Sequence, residues 1–148
     1  MSTTPNLLLN KLPIGVVNWP ALINDAFDKI DAAASIPASG QTTDATPLVL
    51  TSLQLDAGSV YMVTAQVVAK QADEKRASYV RRVCATRPAS GGSATLETSG
   101  SSQDVFTIES DSDWDCAITA AGSGVNVEVT GKAASSITWQ CQLDYVVV

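Results

Sequence analysis

Histidine is absent from this chain of 148 residues. That absence excludes the Ser-His-Asp and Cys-His nucleophile systems, His-ligated zinc and the commonest general base. Charge is scarce: 16% of residues are charged, against about 25% in ordinary globular domains. The surface must then rely on Ser, Thr, Gln and Asn, or be partly covered by a partner. Aromatic residues are few, with three Trp, three Tyr and two Phe, so few rings remain to stack on sugars or bases. Cys84, Cys116 and Cys141 are the only cysteines. An odd number at wide spacing is neither a disulfide framework nor a zinc site and reads as buried apolar thiols. No apolar run approaches the ~20 residues that span a bilayer. The opening MSTTPN has no basic region followed by an apolar one, so synthesis in the cytoplasm is expected.

What is present divides into two unlike parts. Hydrophobic residues reach 45%, enough for a packed core. The net charge of -6 argues against nucleic acid or an anionic membrane as the main partner. Residues 1–35 read as an extended arm and one short helix, 36–46 as a linker rich in Ser, Thr, Pro and Gly, and 47–148 as all β. In the arm, Leu7, Leu9, Leu12 and Ile14 form a concentrated apolar load, while Pro5, Pro13 and Gly15 break any helix. Such an arm is costly to leave in water, so it folds back or docks on another protein. Asn18 is placed to cap a helix opening at Trp19 and Pro20, with Ile23, Phe27 and Ile30 at helical spacing. A helix of about 15 residues is marginal alone and needs something to pack against.

The remaining sequence alternates with period 2. Tyr61, Val63, Ala65, Val67 and Ala69 share one face, as do Trp114, Cys116, Ile118 and Ala120. Val125, Val127 and Val129 form a third set, and Ile137, Trp139, Cys141, Leu143, Tyr145 and Val147 a fourth. This pattern signals half-buried antiparallel strands. Turn sequences AGSG at 121–124 and TGKAAS at 130–135 separate them. Seven or eight strands in about 100 residues predict a β-sandwich or jelly roll.

Charged residues are segregated. Glu109, Asp111, Asp113 and Asp115 resemble the start of a calcium loop, but Cys116 stands where glycine is needed and Gly122 where glutamate is needed. A solvated acidic edge is the simpler reading. Paired carboxylates for glycoside hydrolysis would need a deep cleft that so small a chain does not supply. Six of the nine basic residues lie between Lys70 and Arg87. Arg81 and Arg82 are placed to meet Asp111, Asp113 and Asp115 of an adjacent copy. No phosphate loop, GxSxG or CxxC occurs. The expectation is a protein that is not an enzyme and uses no cofactor and no metal.

Two stretches carry a family resemblance. Thr4, Pro5, Asn6, Leu7, Trp19, Leu22, Ile23, Asn24, Phe27, Ile30 and Asp31 resemble the N-terminal segment of tailed-bacteriophage fibre and virion proteins, TTPNLGL followed by Trp and LINxxFxxID. Leu8 replaces the usual glycine, and the stretch between Pro13 and Trp19 is shorter. Asp111, Trp114 and Asp115, then Gly122, Val125, Val127, Val129, Thr130 and Gly131, then Ile137 and Trp139, resemble small trimeric β modules of phage tail and head surfaces. The upstream YVRRV at 79–83 fits the same pattern.

The resemblance implies a homotrimeric virion surface protein assembled in the host cytoplasm. Its anchor would use Leu7, Leu9, Leu12, Ile14, Trp19, Ile23, Phe27 and Ile30. The leading expectation is a capsid decoration or cement protein bound to the major capsid protein. The alternative is a short tail fibre or receptor-binding protein on a tail or baseplate partner, the only reading with a host glycan. A carbohydrate-binding module with no virion role is the third. A compact module close behind its arm suits clamping of capsid subunits, since a draped arm adds buried apolar area.

Overall fold

The computed structural model describes residues 35–72, 75–97 and 103–148. Among them are nine strands and no helix. They are β1 (Ile36–Thr42), β2 (Leu48–Gln54), β3 (Val60–Gln71), β4 (Arg76–Thr86), β5 (Thr95–Glu97), β6 (Asp104–Glu109), β7 (Asp115–Ala121), β8 (Gly124–Thr130) and β9 (Ile137–Val147). The helix and the anchoring residues expected between 1 and 35 lie outside the described residues.

Two antiparallel sheets form. The larger, of six strands, runs β1-β9-β3-β4, and the far edge of β4 is shared by β5 at one end and β6 at the other. The smaller runs β2-β8-β7. β3 sits centrally because its long period-2 segment finds a partner on each side: Ala65 lies opposite Arg81 of β4 and Leu143 of β9. β7 and β8 meet through a two-residue loop, Gly122 and Ser123. Gly122 takes φ 55° there, a left-handed value that glycine adopts without steric cost and that hairpin loops of this length favour.

One hydrophobic cluster draws on both sheets. Val63, Val67, Trp139 and Leu143 come from the large sheet, and Leu53, Ile118, Val125, Val127 and Val129 from the small one. The Trp114 and Trp139 rings lie 6.0 Å apart at a tilt, and Tyr79 stacks 6.4 Å from Trp139. Each aliphatic side chain so buried stabilises the fold by about 1.5–3 kcal/mol. The architecture is sandwich-like and mainly β, as the alternation predicts.

Three expectations change. The stretch 36–46 is not all linker: 36–42 form β1, paired with β9 from Ile36–Leu143 to Thr42–Ile137, so the β domain begins before residue 47. The small residues are there for packing. A Cβ on Gly40 would lie 2.8 Å from Leu50 Cδ2 and 2.9 Å from Leu48 Cδ2. Pro37 is tolerated because β1 ends the sheet order. Thr42 is buried and accepts a 2.9 Å hydrogen bond from Trp139 Nε1. Second, Ala120 is exposed, as is Val147, each near the end of its strand. Third, Cys84 is exposed, whereas Cys116 and Cys141 are buried. Burial pushes the Cys116 thiol up to about 12 and the Cys141 thiol up to about 11.

Candidate interaction surface

The six-stranded sheet has two very different faces. One carries Tyr61, Val63, Ala65, Val67 and Ala69 of β3, all buried. The other carries Met62, Gln66, Val68 and Lys70, all exposed. Strand register sets this outer face in rows. Phe106, Val80, Gln66, Gln142 and Pro37 form one row across β6, β4, β3, β9 and β1. Ile108, Ser78, Val68, Gln140 and Ser39 form the next. Met62 lies between Cys84 of β4 and Val146 of β9.

The apolar part of this face gathers at β6. All six of its residues are exposed, and it pairs with β4 alone among the described strands. Its outer edge therefore has no strand partner among the described residues, the liability of any edge strand. Val105 is 53% exposed on one side of the strand, and Phe106 and Ile108 are 44% and 61% exposed on the other. An edge uncovered on both faces and carrying three large apolar side chains is suited to contact with another protein surface.

Beside this edge lies a buried cation. Alternation in β4 sets Arg81 in phase with Tyr79, Val83 and Ala85, and it is only 5% exposed. Its Nε donates to the Cys116 carbonyl at 2.7 Å, and its Nη1 donates to Asp104 Oδ1 at 2.7 Å and Thr107 Oγ1 at 2.8 Å. Asp115 stands 3.7 Å from Nη2. The guanidinium also lies 4.9 Å over the Tyr79 ring. It thus ties β4, β6 and β7 together, with hydrogen bonds from Nε and Nη1 and carboxylates close by, as a buried arginine requires. Tyr79 donates to Glu109 Oε2 at 2.9 Å, and burial together with that bond raises its hydroxyl well above the usual range.

The acidic stretch closes the other side of β7. Asp111 Oδ2 accepts from Lys75 Nζ at 2.9 Å and from Lys132 Nζ at 3.1 Å, and Lys132 also reaches Asp113 at 2.8 Å. The Asp113 N–H donates to Asp111 Oδ1 at 3.2 Å, the local turn typical of aspartate. The Lys75 bond first, then the Asp113 N–H and Lys132, hold the Asp111 carboxyl down to about 2. These side chains are occupied by lysines rather than arranged as a cation loop. Among the described residues, no group of three or more His, Cys, Asp or Glu is placed to hold a metal ion.

Of the five residues expected to meet across copies, the structure brings Arg81 and Asp115 together within one chain. Asp111 and Asp113 are likewise engaged by lysines of their own chain. Arg82 points to the opposite face, where its Nε donates to Thr64 Oγ1 at 3.2 Å. The sequence reading treated the two arginines alike and missed that period 2 buries one of them. It also missed Asp104, whose link to Arg81 crosses a register shift between β4 and β6. No known protein family, curated protein or solved structure matches this chain.

Proposed function

We propose that the chain is a structural protein of a tailed-phage virion, a homotrimer of jelly-roll-like modules that decorates or cements the capsid. In this reading the N-terminal arm docks on the major capsid protein, and the β module lies on the virion surface. The proposal includes no catalysis, no cofactor, and no nucleic-acid or membrane partner. The observation that carries it is the uncovered, apolar β6 edge, in a chain with little charge to keep a free surface wet. Lateral contact between copies would cover Val105, Phe106 and Ile108. The alternative, a short tail fibre on a tail or baseplate protein, is favoured by the TTPN and LINxxFxxID segments, which resemble fibre N-termini.

Copy number per purified particle, by quantitative mass spectrometry against the major shell protein, tests the proposal. Hundreds of copies place the protein on the icosahedral lattice, since only the shell repeats a trimer site that often. A few dozen or fewer place it on the tail and favour the fibre. Absence from the particle rejects both.

A further inference from the structure

At the end of the outer face remote from Val60, two cations are set against each other. Lys70 of β3 and Arg76 of β4 are directly paired in register, which brings their Cβ atoms to about 5 Å. Like charges opposite one another destabilise a sheet unless something neutralises them. Neither makes an ion pair among the described residues, where the cationic partners of carboxylates are Lys75, Arg81 and Lys132.

The register continues this row through Thr138 of β9 to Gln41 of β1. Over it lies a cavity of about 410 Å³ lined by Gln41, Lys70, Gln71, Arg76, Ser136 and Thr138. A second hollow, of about 450 Å³, shares Lys70, Arg76 and Thr138 and extends to Val68 and Gln140. A third, of about 280 Å³, continues past Val68 and Gln140 to Gln66 and Gln142. The three form one groove across the strands, cationic at one end and lined with amides along its length. At the cationic end Gln71 Oε1 is buried and accepts no hydrogen bond among the described residues.

We propose that this groove binds an acidic saccharide. Its carboxylate sits between Lys70 and Arg76 and relieves their repulsion. Ligand hydroxyls meet Thr138 and the exposed glutamines along the groove. Carboxylate recognition by paired cations gives strong charge-assisted hydrogen bonds. Amide side chains, which donate and accept at once, match hydroxyl-rich ligands. The groove length favours an oligomer over a single sugar.

The test is titration of the isotope-labelled full chain with trigalacturonate, followed by amide NMR shifts. Galactotriose serves as the neutral control and sodium sulfate as the bare anion. Shifts at Gln41, Lys70, Gln71 and Thr138 with trigalacturonate, and none with galactotriose, are expected. Lys70→Gln or Arg76→Gln weakens binding about tenfold or more. No shift with trigalacturonate overturns the proposal. Equal affinity for sulfate reduces the site to a bare anion site and overturns the saccharide. Asp73 and Glu74 lie between the two cations in sequence, outside the described residues. Binding by Asp73→Asn/Glu74→Gln where the wild type is silent would show the chain's own acids fill the site. If the wild type ignores trigalacturonate while Lys70→Gln/Arg76→Gln changes the assembly mass, the cations meet a neighbouring copy instead.

Discussion

The two faces of the large sheet are built from alternate residues of the same strands, yet they obey different rules. On the inner face, Val63, Ala65 and Leu143 have no exposed surface, and nearly every position is apolar. On the outer face, Val68 and Val146 are more than half exposed and stand among Gln, Thr, Ser and cations. The inner face explains why the chain folds. The outer face is not needed for folding, so its residues are free to serve contact. Arg81 and Arg82 show the contrast between neighbours in sequence: one cross-links two sheets from within, the other lies on the surface.

Substitution at matched positions breaks this comparison most sharply. Leu143→Ala, in the sealed core, is expected to lower unfolding free energy by about 2–5 kcal/mol. Val68→Ala on the outer face should stay within about 0.5 kcal/mol. Urea denaturation of both reads the difference. Arginine replacement gives the next effect. Arg81→Met leaves the Cys116 carbonyl without its donor and should cost about 1–3 kcal/mol. Arg82→Met should be near neutral by the same measurement. Equal losses at the two positions would contradict the division of faces.

A smaller effect is visible in pH. Asp111 is held down to about 2 in the folded chain, below the ordinary aspartate value of 3.8. A carboxylate depressed by folding contributes stability above its unfolded pKa and loses it as pH falls through the folded one. Acid titration of the melting temperature should therefore show a loss between about pH 4 and about pH 2. Asp111→Asn should be less stable at neutral pH and flatter across that window. The smallest effect on stability is expected at the edge. Phe106→Lys/Ile108→Lys removes the apolar corner and should abolish association between copies, while at dilutions where the wild type is also dissociated the two chains should melt at nearly the same temperature.

Much of the inner face was legible because alternation is local. Tyr61 to Ala69, Trp114 to Ile118, Val125 to Val129 and Ile137 to Leu143 all point inward as the period dictates. β1 was not legible, because Ser, Gly and Pro read as linker, whereas Gly40 is small to admit two leucines from the neighbouring segment. The division into six and three strands was also hidden. It depends on pairings such as Ile36 with Leu143, which no local pattern encodes. The opposition of Lys70 and Arg76 follows from hairpin register, and their six-residue separation carries no recognisable motif.

The proposed trimer needs the uncovered β6 edge as its contact. Native mass spectrometry of the full chain at micromolar concentration tests it most directly. A species of three times the 15.4 kDa chain mass, reduced to one chain by Phe106→Lys/Ile108→Lys, is the result predicted. A wild-type chain that remains a monomer, or a trimer indifferent to those two substitutions, would contradict it.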